Sequence, residues 1–182
     1  MALRSLRYPL LSSFPVYRRR TLMEAILVSE STSHPQTHIK PLSEHDFAVW
    51  QQQWQGYQDF YEVDIPQATR LVTWQRLLDP KEPIFGALAI VDGEAVGLVH
   101  WIFHRSCWTV EDSCYLQDLY VSPQQRGTGA GRQLIEHVYQ EAKAAGSTRV
   151  HWLTHETNKT AMQLYDRIAV LSGFVQYRKQ LD

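Results

Sequence analysis

Eight consecutive residues, Gln124-Gln125-Arg126-Gly127-Thr128-Gly129-Ala130-Gly131, combine the types needed to hold an anion with main-chain atoms. They follow a strand-like run, "CYLQDLYV", and lead into an amphipathic stretch that stops at Gly146. Backbone N–H groups at the start of a helix are unpaired and sit at the positive end of the helix dipole. A glycine-rich turn running into a helix is therefore an anion seat. Glycine at 127, 129 and 131 removes the side chains that would keep a phosphate away from those N–H groups, and Arg126 can add a charge-assisted contact. The dinucleotide fingerprint would need glycine where Arg132 stands, and the P-loop would need four residues between glycine and Gly-Lys, so neither fits.

Acid–base chemistry has fewer candidates. Asp118, in the run before the loop, can bind an ammonium group or take its proton, whereas the adjacent Gln117 can hold a water or an amine but cannot act as a base. Strand alternation puts these two on opposite faces unless a bulge intervenes. Glu111, Asp112, His155 and Glu156 are alternates. Tyr165 lies seven residues after Asn158, two helical turns on, so both face the same side of the last helix. His100, His104, His151 and His155 are spaced by four, but on strands and without a thiol or carboxylate to complete a tetrahedral set, so no metal is expected. Cys107 and Cys114 form neither a disulfide framework nor a zinc spacing, and Cys114 reads as a packing thiol.

The elements that must position these residues are legible in pattern. "THIKPL" reads as a strand, and Ser43 with Asp46 three positions on is a capping-box variant that starts a helix. Along that helix Trp50, Trp54, Tyr57 and Tyr61 share one face, as a core stripe or as the wall of an acceptor pocket. Asp64 to Pro66 open a second helix, "QATRLVTWQRLL", that ends at Asp79 and Pro80. "IFGALAIV" and "EAVGLVHWIFH" flank Asp92-Gly93, a hairpin turn. "SCYLQDLYV" is the next strand. A helix is expected over 127–145, with Leu134, Ile135, Val138 and Ala142 inward, then a strand "TRVHWLT", a helix over 158–171, and a last strand "FVQYRKQL". The order β-α-α-β-β-β-α-β-α-β implies a mixed sheet with helices on both faces.

At 182 residues and 44% hydrophobic content the chain suits one α/β domain, and no apolar run approaches the ~18 residues that a membrane helix needs. Net charge is −1, yet residues 1–23 hold five arginines and no acid, which leaves the remainder at −6. An acidic body argues against nucleic acid and for a cationic partner. Residues 1–36 read as an N-terminal extension and linker, and residues 37–182 as the domain. A cytoplasmic location is expected, or a mitochondrial one if the Arg-rich start is a transit peptide.

The loop is a Q-x-x-G-x-G, and it resembles the motif that follows the fourth strand in the GNAT superfamily of N-acetyltransferases. The segment "ETNKTAMQLYDRIAVLSGF" is similar to that family's second signature, N-x-x-A-x-x-L-Y followed by Gly-Phe. This resemblance covers residues 37–182. It implies the GNAT fold of class α/β (α+β), with a mixed, mostly antiparallel sheet, and acetyl-CoA as cosubstrate. Gln124, Gln125, Arg126, Gly127, Thr128, Gly129, Ala130, Gly131 and Arg132 would hold the pyrophosphate, the backbone of Leu119, Tyr120 and Val121 the pantetheine arm, and Asn158 a further part of the cofactor.

Tyr165 would protonate the departing sulfur, and a main-chain N–H between Leu119 and Val121 would polarise the thioester carbonyl. "LQDLYV" resembles the "LED" strand of spermidine/spermine acetyltransferases with Gln117 replacing the glutamate, which shifts the acid–base role toward Asp118. The resemblance implies direct attack of a primary amine, a homodimer, and a polyamine, amino-acid or histone-acetylating branch. A small cationic amine is the expected acceptor; protein lysine acetylation and a non-catalytic CoA-binding module are the alternatives.

Overall fold

The computed structural model describes residues 37–181. Residues 1–36, with the transit-like start, lie outside the described residues. His38–Pro41 form β1. Asp46 then accepts hydrogen bonds from both the backbone N–H (2.9 Å) and the hydroxyl (2.7 Å) of Ser43 and pairs with Lys40. The capping motif opens a short 3-10 turn that runs straight into helix α1, Phe47–Phe60. Helix α2 spans Gln67–Leu78, with Pro66 at its N-cap.

Strands β2 (Ile84–Val91) and β3 (Glu94–His104) form the hairpin, and Asp92 and Gly93 take the positive φ values, 51° and 84°, that a two-residue turn demands. Strand β4 (Ser113–Val121), helix α3 (Ala130–Ala144), strand β5 (Val150–His151) and helix α4 (Lys159–Ile168) complete the order. The sheet runs β1-β2-β3-β4-β5, antiparallel until the parallel β4–β5 pair.

Two apolar layers hold the sheet. On one face Trp50 and Trp54 of α1 and Trp74 and Leu77 of α2 cover Leu88 and Leu98. On the other, Leu134, Ile135, Val138 and Ala142 of α3 cover Ala87, Val99, Trp101, Cys114 and Leu116, with Leu164, Tyr165 and Ile168 of α4 packed beside them. Each fully buried Leu, Ile or Val among them contributes about 1.5–3 kcal/mol. Small residues on β2 let α3 approach closely.

The ends of elements differ from expectation for local reasons. Helix α3 starts at Ala130 rather than Gly127, because Gly127 and Gly129 take φ of 82° and 97° and so lie outside any right-handed helix. Helix α4 stops at Ile168 rather than Leu171. Strand β5 shrinks to two residues, paired only with Cys114 and Tyr115. The expected last strand is not formed: residues 169–181 hold neither helix nor strand, and Phe174 and Tyr177 are 81% and 92% exposed. The backbone of this segment joins no ladder with β5 or any other strand among the described residues.

Candidate active site

The glycine loop is built by short-range hydrogen bonds. Ser122 N–H donates to Val96 O (2.8 Å), which ties the end of β4 to β3, and the Thr128 hydroxyl closes the loop on Gln125 O at 2.8 Å. The first intrahelical bond of α3 runs from Gln133 N–H to Gly129 O at 3.1 Å. The N–H groups of Ala130, Gly131 and Arg132 therefore precede the helical ladder, as an anion seat requires. A Cβ added at Gly127 or Gly129 would meet no atom within 4 Å, so the space in front of these amides is open.

Exposed Gln124 and half-buried Gln125 form the preceding turn. Arg126 does not hang free: its Nε donates to Val121 O (3.2 Å) and its guanidinium lies over the Phe60 ring at 5.0 Å. Arg132 pairs with Glu136 at 2.7 Å along α3.

Beside the loop the sheet opens. Strand β5 meets β4 only at Cys114 and Tyr115, so Leu119, Tyr120 and Val121 have no partner strand on that side among the described residues. Opposite, Gly97 pairs with Val121, and a Cβ there would come within 2.5 Å of Tyr120 O. Glycine is required for that approach. An acyl-pantetheine chain fits such an unpaired edge, because its amides can take the hydrogen bonds another strand would have made.

Register shapes the acid–base group. His100 faces Asp118 across the β3–β4 pair, but the next residue of β3, Trp101, faces Leu116, so Gln117 is bulged out without a cross-strand partner. Gln117 is exposed, whereas Asp118 is 8% exposed. Asp118 Oδ2 lies 3.0 Å from His100 Nδ1, and Trp50 Nε1 donates to His100 Nε2 at 2.9 Å. Around this carboxylate stand three phenols. Burial and then Asp118 raise the pKa of Tyr57 and of Tyr115; Tyr61 is raised likewise, and Asn158 partly offsets it. The negative charge of Asp118 thus sits in a wall of neutral hydroxyls.

The second signature reaches the same place. Asn158 caps α4, Met162 N–H donating to its carbonyl at 3.1 Å, and its side chain lies beside Tyr61. Tyr165, edge-on to Trp152 at 5.3 Å, has its pKa pushed up to about 12 by burial and next by Tyr61. Tyr61 links the two halves of the site: Asp118 on one side, Asn158 and Tyr165 on the other.

The other expected candidates are exposed or have partners of their own. Asp112 pairs with Arg105 at 3.0 Å, Glu111 and Glu156 are exposed, and His155 bonds to Thr157 at 2.7 Å. Cys114 is buried, and burial pushes its thiol up to about 12. The aromatic stripe divides, Trp50 and Trp54 entering the core while Tyr57 and Tyr61 face the site. Sequence reasoning missed Tyr115 and, in this setting, His100. The one signal for His100 was a histidine in an otherwise apolar strand, on the same face as Leu98.

The model of the acetyltransferase (GNAT) family matches residues 48–169. The D-amino-acid N-acetyltransferase HPA3 of Saccharomyces cerevisiae is 35% identical over 143 residues, which is 78% of this chain and 89% of that protein. A thialysine N-epsilon-acetyltransferase of Caenorhabditis elegans is 31% identical over 85 residues, 47% of this chain and 52% of that one. Among solved structures, an aminoglycoside acetyltransferase from an uncultured soil metagenomic sample superposes with a TM-score of 0.69 at 20% identity, over 80% of this chain and 97% of that one. That likeness concerns the fold.

Proposed function

This chain belongs to the acetyltransferase (GNAT) family and is an N-acetyltransferase, and from that premise we propose that it moves the acetyl group of acetyl-CoA onto the primary amine of a small cationic acceptor, an amino acid or a polyamine. The observation that carries this reading is Asp118: a nearly buried carboxylate with neutral hydroxyls around it, hydrogen-bonded to the His100 imidazole and without a Lys or Arg partner among the described residues. A buried negative charge without a Lys or Arg partner suits an ammonium group. The names of the relatives, which act on D-amino acids and on thialysine, point the same way.

The amides of 127–132 and the open edge at Leu119–Val121 hold the coenzyme, which supplies an activated acetyl thioester. An alkylammonium of pKa near ~10 costs about 4 kcal/mol to deprotonate at pH 7. Asp118 binds that ammonium and draws off one proton, the free amine attacks the thioester carbonyl directly, the C–S bond breaks as Tyr165 gives its phenolic proton to the departing sulfur, and the second N–H proton of the attacking nitrogen returns the phenolate to phenol. A main-chain N–H between Leu119 and Val121 polarises the carbonyl. We further propose a homodimer, supported by the apolar side chains that residues 170–181 leave uncovered.

Thiol release from acetyl-CoA, followed over polyamines, amino acids of both hands and lysine peptides, tests the acceptor class. A small free amine should give the highest kcat/KM, and Asp118→Asn should lower it about 10²-fold or more. A lysine peptide preferred over every small amine would overturn the proposal.

A further inference from the structure

Trp50, His100 and Asp118 are 0%, 1% and 8% exposed and form an unbroken line from helix α1 through β3 to β4. The direction of its hydrogen bonds follows from chemistry. An indole N–H can only donate, so His100 Nε2, 2.9 Å from Trp50 Nε1, must be the unprotonated, accepting nitrogen. The imidazole is then neutral and carries its proton on Nδ1, which stands 3.0 Å from Asp118 Oδ2 and donates to it. The ring has little room to turn: Trp54 meets it edge-on at 4.9 Å and Trp50 lies at 6.1 Å. The same carboxylate lies within electrostatic reach of Tyr57, Tyr61 and Tyr115.

We propose that Trp50 and His100 are positioning residues for acetyl transfer: the indole fixes the imidazole tautomer, and the imidazole N–H fixes the Asp118 carboxylate toward the acceptor amine without neutralising its charge. This inference rests on the reading of Asp118 as the group that binds the acceptor ammonium. A protonated imidazole would supply the counter-charge itself and weaken the pull on that ammonium. A neutral one leaves the full negative charge for the substrate while still restricting the rotamer. Burial of the whole line keeps water from competing for Oδ2. A carboxylate displaced by about 1 Å is enough to cost on the order of 10²-fold in rate.

Two measurements on the full chain test it. Imidazole ¹⁵N NMR of the wild-type protein should find His100 protonated on Nδ1 alone, and Trp50→Phe, which keeps a ring but loses the donor, should let Nε2 take a second proton. A doubly protonated or Nε2-protonated ring in the wild type overturns the proposal whether or not any variant folds. In steady-state kinetics His100→Leu should lower kcat/KM for the amine about 10²-fold with the KM for acetyl-CoA unchanged. His100→Asn, whose amide N–H stands near the position of Nδ1, should recover most of that loss. Equal losses in both variants, or none in either, contradict the positioning role. Asp118→Asn separates the two levels: if it leaves amine kcat/KM unchanged, the reading of the site fails, whereas if it is crippled while His100→Leu is not, only the positioning role fails.

Discussion

In the proposed mechanism Tyr165 acts as a phenol, and its surroundings keep it one. Burial first, and Tyr61 next, push its pKa up to about 12, so it holds its proton throughout the neutral and mildly alkaline range. A raised pKa favours the protonated form, and ionisation of Tyr165 therefore does not shape the rate below about pH 11. Tyr165→Phe should lower kcat about 10²-fold, and the pH–rate curves of variant and wild type should run parallel between pH 7 and 10. A wild-type alkaline limb in that interval that disappears in Tyr165→Phe would contradict the assignment. Asp118 differs in kind, since its value lies in its charge. Gln117, bulged and exposed, is proposed to hold water or amine and not to act as a base.

Much of the element order was readable in the sequence, and the failures share a cause. The Asp92-Gly93 turn, the Ser43/Asp46 cap and the inner face of α3 depend on residues within a few positions of each other, and all three stand in the structure. The length of β5 and the missing final strand depend on which strand meets which, a long-range matter that alternation alone does not encode, whereas the bulge at Gln117 is the exception for which alternation made room. Helix periodicity placed Trp50, Trp54, Tyr57 and Tyr61 on one face but could not tell core from cleft; the sheet beneath decides that, ending the buried part at Trp54. The glycine loop was legible because its chemistry lies in consecutive residues. The tie from His100 to Asp118 was not, because it spans 18 positions and exists only in the β3–β4 register.

Taken as a whole, the molecule places the end of β4, the start of α3 and the side of α4 together: a Cβ at Gly131 would touch Val121 at 3.5 Å and Leu164 at 3.9 Å. The proposed sites for acyl donor and acceptor thereby share one junction. Helix α4 has no fully buried residue, and the apolar residues that follow it, Val170 and Leu171 among them, are exposed. The proposed homodimer would cover them. Sedimentation of the full chain should give a dimer, and deletion of residues 170–182 should convert it to monomer or to aggregates; a full chain that is monomeric at tens of micromolar would contradict that assembly.

In the proposed complex, main-chain amides at the front of α3 and along the open edge of β4 hold acetyl-CoA. Backbone ¹⁵N–¹H NMR during titration with acetyl-CoA tests it most directly. The largest shifts are expected at Gly127–Arg132 and Leu119–Val121, with Tyr165 next. Binding that leaves those amides unmoved while others shift, or no binding at millimolar coenzyme, would contradict the claim.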